Sequence, residues 1–428
     1  VRSGRTYEVT PSAARLTRSL RDVGYDFPSA IADLVDNSIS ADAGHIQVII
    51  EFDGTDSRVL IADDGVGMSE NALVEALRFG SRRSYQDSDL GRYGLGLKTA
   101  SLSQGRSVTV VTRRSASADR VFVRELDLDL VEELDEWLVV APRRSPGIDR
   151  AQELLGDAPG TVVLWRALDR VLPERRPDGG WARRRLDSYA RRTAEHLAVV
   201  FHRFIEGLPD GRRVTISVNG EKVEPWNPFA PDEEHRHELP AQRFDVTSGD
   251  HSGTVRLRRF VLPARPQFSS PEEFERLSGP LNWNRQQGLY VYRADRLVQW
   301  GGWAGIRGID EHLKLARACL DFDTSTSTPR WTRPSTSTSR RCVSRCRPNS
   351  ASCWLPRSTN CARLRTRPTG APHPAATCHF TVAFDHPLPR PTVISPWLAS
   401  LCGPPPCRQV TTRHSSPSSR SSDATPLR

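Results

Sequence analysis

The chain has 428 residues, 26% of them charged and 37% hydrophobic, with a formal net charge of +9. That length suits two or three domains with buried cores, and no apolar run approaches the roughly 20 residues needed to cross a bilayer. The first 25 residues lack the apolar stretch of a secretory signal, so a cytoplasmic protein is the expectation, and a start at Val1 rather than Met points to a fragment or a non-standard start codon.

Helical and strand-like periods alternate from the start. Ile31, Leu34, Val35 and Ser38 repeat at helical spacing, with Pro28 where a helix begins. Ile46, Val48, Ile50 and Phe52 alternate as a half-buried strand requires, and after the Gly54 turn residues 58–62 read as a second strand. Residues 71–79 read as a helix, and 106–113, 120–127 and 161–165 as strands. Helices laid on one face of a mixed sheet fit this order. Near 170–182 every period breaks. A long helix over about 182–206 follows, then a strand through Val214, Ile216 and Val218 into the turn at Asn219–Gly220. Further strands are expected near 254–262 and 288–299, and a helix over 311–320.

Beyond Asp323 the composition changes abruptly. Residues 324–428 hold 15 Arg, no Lys and two acids, a charge of +13 that leaves −4 for the first 323 residues. Ser, Thr, Pro and Arg fill 63 of these 105 positions, too little apolar surface to offset chain entropy, so disorder is expected. Three readings of the tail stand: an Arg-rich arm that grips nucleic-acid phosphates, a metal or disulfide module, or translation out of frame in a GC-rich gene. Its seven cysteines (342, 346, 353, 361, 378, 402 and 407) contain no CxxC pair, which weakens the second. The third fits the Lys-poor composition, and resequencing around codon 323 decides it.

Three short segments carry chemistry. In residues 30–40, Asp33 and Asn37 share one helix face opposite the apolar stripe. A carboxylate there can take a proton from water and an amide oxygen can bind Mg²⁺, although a solvated face would look the same. In residues 60–68 a strand ends on Asp63, followed by Gly65, Gly67 and Met68. Glycines let a planar ligand approach the backbone, Asp63 could accept a hydrogen bond from an adenine amine, and Met68 could pack on the ring; a plain hairpin turn is the alternative. In residues 91–101, Gly91, Gly94 and Gly96 open a helix whose first N–H groups could cradle phosphates, with Lys98 adding charge. Lys98 is one of only three lysines among 60 basic residues.

Together and in this order the segments resemble the N, G1 and G2 boxes of the GHKL ATPase superfamily, which includes gyrase, the 90-kDa heat-shock chaperones, MutL-type mismatch-repair proteins and histidine kinases. The wording of residues 77–81 and 91–98 looks most like the microrchidia-type branch and its bacterial relatives. Residues 159–165 are similar to the Gly-Thr strand that closes the adenine pocket, which gives Thr161 that role. The resemblance implies an α+β fold: a two-layer α/β sandwich ATP-binding domain over residues 1–175, a transducer-like α/β domain over 182–323, and the disordered tail over 324–428. It implies that Asp63, Gly65, Gly67, Met68 and Thr161 hold adenine and that Asn37 coordinates Mg²⁺. Gly91, Gly94, Gly96 and Lys98 would enclose the phosphates, residues 78–95 would form a lid, and Asp33 would be the catalytic base.

Two departures matter. The family's base is usually Glu, one methylene longer than Asp33. The transducer lysine would fall in the tail, which has none. Nucleotide binding with weak or absent hydrolysis is therefore expected. About 27 residues precede the Asp33 helix, which leaves no room for the phosphoacceptor hairpin of a histidine kinase, and no topoisomerase cleavage domain is apparent. A nucleotide-gated conformational ATPase is the expectation, with an ATP-dependent homodimer and a DNA or protein client implied. The alternative is a non-enzymatic adaptor whose basic tail binds nucleic acid.

Overall fold

The computed structural model describes residues 10–22, 24–80, 96–114, 120–173, 178–248 and 251–322, with the strands 362–366 and 378–384. The chain from Val1 to Asp385 forms one unit, and the residues after it lie outside the described set. Apart from those two strands, the expectation of a disordered tail also falls outside it.

The first half runs α1 (Ala13–Asp22), α2 (Phe27–Ser40), β1 (His45–Glu51), β2 (Arg58–Asp63), α3 (Glu70–Leu77), α4 (Gly96–Leu102), β3 (Ser107–Arg113), β4 (Val121–Asp127), α5 (Leu128–Leu134), α6 (Pro146–Leu155) and β5 (Gly160–Arg166). After it come α7 (Gly180–Val200), α8 (His202–Glu206), β6 (Thr215–Val218) and β7 (Glu221–Lys222). The seven strands form one sheet in the order β4-β3-β5-β2-β1-β6-β7. All neighbours are antiparallel except β1 and β6.

Strand alternation divides this sheet's side chains between two cores. Val59, Ile61, Val108, Val110, Val163 and Trp165 face the main core with the apolar stripes of α2 and α7. Leu60, Ala62, Val111, Val162 and Leu164 face Ile148, Ala151 and Leu155 of α6. Period 2 along each strand places successive residues on opposite faces, so a run such as residues 59–62 is buried on both. Helices thus cover both faces of the sheet rather than one. The predicted Asp33 helix starts as expected: Asp26 caps it by accepting from the Ser29 N–H, and Pro28 sits in its first turn.

The second half runs β8 (His237–Ser248), β9 (His251–Val261), α9 (Pro271–Leu277), α10 (Trp283–Gln286), β10 (Gly288–Arg293), β11 (Arg296–Trp300), β12 (Ala316–Phe322), β13 (Ala362–Thr366) and β14 (Cys378–Phe384). Its sheet has the order β11-β10-β12-β9-β8-β14-β13.

Three expectations change here. The segment predicted as a helix over 311–320 is a 3₁₀ turn followed by β12, which lies between β9 and β10. Burial between two partners on a sheet overrides a helical spacing built largely from good helix formers. Arg317, fully buried there, donates to the carbonyls of Leu277 and Pro228 and lies over the rings of Trp226 and Trp283. The helix expected over 182–206 breaks at Phe201 into α7 and α8. The hairpin at 215–222, whose turn residues Asn219 and Gly220 take the expected positive φ, lies past the break near 170–182 yet returns to the first sheet beside β1. Among the described residues no helix is long and apolar enough to cross a membrane.

Candidate nucleotide site

The site is built where β2 ends. Two aspartates stand there, and hydrogen bonding separates their roles. Asp64 accepts from the Gly44 N–H, the His45 N–H and His45 Nδ1, each at 2.8 Å, and is engaged in pinning the start of β1. Asp63 faces the other way. Its Oδ2 accepts from Ser38 Oγ at 2.8 Å, and its Oδ1 from the Gly65 N–H at 3.1 Å. Burial pushes the Asp63 carboxyl up to about 6 against these two donors, and the charge of Asp64 adds to the rise. A carboxylate held this way retains lone pairs for a further donor, as recognition of an exocyclic amine needs.

The glycines after it are needed for close approach. A Cβ at Gly65 would lie 2.6 Å from the Ala41 carbonyl oxygen. Gly67 has φ of +62°, and a Cβ there would lie 1.9 Å from the Arg113 carbonyl oxygen. Substituting either forces the backbone apart. Antiparallel register sets Thr161 opposite Asp63 and also opposite Thr112. The Thr112 hydroxyl lies 3.1 Å from that of Thr161 and accepts from the Met68 N–H at 3.0 Å. Asp63, Gly65, Gly67, Met68 and Thr161 therefore converge on one corner of the sheet.

Helix α2 joins this corner through the Ser38–Asp63 bond, which brings Asp33 and Asn37 to the same region. Asn37 is exposed and Asp33 partly buried. A carboxylate and an amide at i, i+4 supply oxygen ligands of the kind Mg²⁺ takes. Among the described residues no group of three or more His, Cys, Asp or Glu side chains gathers to hold a metal.

Helix α4 begins at Gly96, where a Cβ would meet open space, and packs across α2. Gly91 and Gly94, with positions 81–95 of the expected lid, lie outside the described residues. Lys98 is not turned toward open space. It is 1% exposed, and its Nζ donates to the carbonyls of Ala76 at 2.8 Å and Arg78 at 2.7 Å, capping the end of α3. Burial lowers its ammonium to about 8.

Sequence reasoning missed three contributors. Ser38 was read as part of the apolar stripe; a hydroxyl in that stripe was the available signal. Thr112 sits at a strand end with nothing in the local sequence to mark it. Arg296 reaches α2 from β11, a separation of 260 residues from Asp36 that no local pattern encodes.

Residues 25–161 match the family model described as histidine kinase-, DNA gyrase B- and HSP90-like ATPase. Over these residues, about a third of the chain, the sequence is similar to that family. Relatives include ATPase morc-1 of Caenorhabditis elegans, 36% identical over 88 residues, and Protein MICRORCHIDIA 6 of Arabidopsis thaliana, 35% identical over 91. Each of these covers 20% of this chain, and 10% and 14% of the relative. The DNA mismatch repair protein MutL of Dictyoglomus thermophilum is 32% identical over 114 residues, 26% of this chain and 19% of the relative. The matched region thus spans a fifth or less of these relatives' length.

Proposed function

We propose that this chain binds Mg-ATP in the corner between β2, β5 and α2, hydrolyses it slowly, and uses the bound nucleotide to change its conformation. The observation that carries this reading is Asp63: a partly buried carboxylate at a strand end, accepting from Ser38 Oγ and the Gly65 N–H and followed by glycines where the backbone approaches too closely for any side chain. Asp63 would accept from the adenine amine, with Thr161 and the Gly65–Gly67 backbone completing the pocket. Asn37 would hold Mg²⁺, which when bound neutralises phosphate charge. Asp33 would take the proton as a water oxygen bonds to the γ-phosphorus and the bond to the leaving ADP oxygen breaks. ATP-dependent pairing of two copies through residues 78–95 belongs to the same reading.

Titration with a fluorescent ATP analogue tests it. The wild type should bind in the presence of Mg²⁺ and Asp63→Ala should lose the signal; absence of binding in both proteins overturns the proposal. Because Asp33 is one methylene shorter than the usual glutamate, Asp33→Glu is expected to raise phosphate release about tenfold and Asp33→Asn to remove it, with affinity unchanged in both. Equal turnover in all three proteins would mean that another group takes the proton.

A second reading, contact with nucleic acid, is favoured by one feature of α7. Trp181, Arg184, Arg185, Ser188, Tyr189 and Arg192 line a groove of about 270 Å³. Trp181 is 46% exposed, and Arg184 and Arg192 form no ion pair among the described residues. Arg185 lies over the Trp181 and Tyr189 rings at 5.3 Å each. Unpaired guanidinium groups interleaved with aromatic faces suit a phosphodiester backbone with unstacked bases. The double substitution Arg184→Glu, Arg192→Glu is expected to weaken a gel shift with single-stranded DNA about tenfold and to lower its log-log salt slope by ~1.5. An unchanged slope would remove this surface from consideration.

A further inference from the structure

The turn between β10 and β11 is a two-residue hairpin. Ala294 and Asp295 both take positive φ, 45° and 60°, and Arg293 pairs with Arg296. Such a turn matches the twist of its strands and fixes where the next side chain points. That side chain is Arg296, 2% exposed. Its Nε donates to Asp36 Oδ1 at 2.6 Å, its Nη2 lies 3.8 Å from Asp33 Oδ1, and its guanidinium lies over the Phe201 ring at 5.5 Å. The far end of the same strand is also tied to the first half of the chain: Trp300 meets His196 of α7 edge-on at 5.3 Å between centroids. Ala294 and Trp300 pack against the main core.

One arginine of the second sheet therefore spans two carboxylates of α2, three residues apart, one of them the proposed base. Buried charges of this kind interact strongly, and losing the cation leaves two carboxylates close together in a poorly solvated place. A shift of α2 by a fraction of an ångström changes both distances, and the short Asp36 bond resists that shift more than the longer Asp33 contact. We infer that Arg296 is a positioning residue: through Asp36 it sets where Asp33 stands and makes the β10–β11 hairpin respond to what occupies the nucleotide site. This rests on the Mg-ATP reading above. It adds a specific route by which binding in the first sheet is felt in the second.

Hydrogen–deuterium exchange of the full chain, with and without Mg-ATP, tests it alongside the fluorescent-analogue titration. In the wild type, Mg-ATP should change exchange over residues 288–300 at least threefold. Arg296→Met should bind nucleotide within about threefold of the wild type yet lose that ATP-dependent difference, and Arg296→Lys should restore part of it. A purely structural arginine would instead raise exchange equally with and without nucleotide, leaving the difference intact, and that result overturns the inference. So does a wild type that binds Mg-ATP without any change over 288–300. If Arg296→Met does not fold, Asp36→Asn, which removes the anchoring charge and keeps its shape, must abolish the difference. A flat titration of the wild type fails the Mg-ATP reading itself, which separates the two failures.

Discussion

Nucleotide affinity is expected to fall about tenfold as pH drops from about 7 to about 5, with release of a proton on binding near pH 6. The cause is Asp63. Burial raises its carboxyl to about 6, so near that pH half of the free protein carries a proton there. An adenine amine is a donor and needs the ionised acceptor, so binding draws the proton off and weakens as acid restores it. The fold responds with the opposite sign. A carboxyl whose pKa is higher folded than unfolded contributes stability that is full below about 3.8 and lost as pH rises through about 6. Acidification across that window should therefore lower affinity while this one group makes the nucleotide-free fold more stable. Asp63→Asn keeps the shape, cannot ionise, and should bind weakly with a flat pH profile; Asp63→Ala should reduce affinity at least about a hundredfold, since it leaves the Ser38 hydroxyl and the Gly65 N–H without their acceptor. Titrations at three pH values with calorimetric proton counting check both. A wild type whose affinity is flat from pH 7 to pH 5 would mean that Asp63 does not meet the base.

What the sequence disclosed and what it withheld divide along contact range. Asp63, Gly65 and Gly67 are legible because a strand end and the turn after it are contiguous, and the turn's geometry dictates its residue types. Asp33 and Asn37 are legible because helical spacing alone puts them on one face. Thr161 required a family likeness, since only strand register sets it opposite Asp63. Ser38 was misread because a hydroxyl in an apolar stripe looks like dilution of the stripe until its acceptor on another element is seen. The hairpin at 215–222 was legible as a hairpin, through its Asn-Gly turn, but not as a member of the first sheet, because a parallel pairing that sets His45 beside Thr215 leaves no local trace. The same holds for β12, where the sheet environment and not the residue pattern chose the strand. Arg296 belongs to this class as well: an arginine after a tight turn is unremarkable until α2 is found beside it.

Lys98 is where expectation and structure part most usefully, and it supplies the other large effect. Mg-ATP binding is expected to take up a proton near pH 8 and to weaken about tenfold between about pH 7 and pH 9, provided Lys98 meets the phosphates in the bound state. In the present structure burial holds its ammonium at about 8 while Nζ donates to the carbonyls of Ala76 and Arg78. The sign follows from the direction. A lysine lowered below its unfolded value of 10.5 favours the fold when neutral, so its contribution is present above about 10.5 and is lost as pH falls through about 8. Phosphates beside it would favour the charged form, raise that value, and draw a proton from solution. The contact it makes now spans the chain between α3 and α4, the ends of the proposed lid, so trading carbonyls for phosphates would release one end of α3 as nucleotide arrives. Lys98→Met should abolish the proton uptake and the alkaline limb while leaving the acid limb of Asp63 in place. Calorimetry in two buffers of different ionisation enthalpy reads the uptake directly. Equal uptake in the variant would assign the proton elsewhere, and no uptake in the wild type would leave Lys98 as the cap of α3 and nothing more.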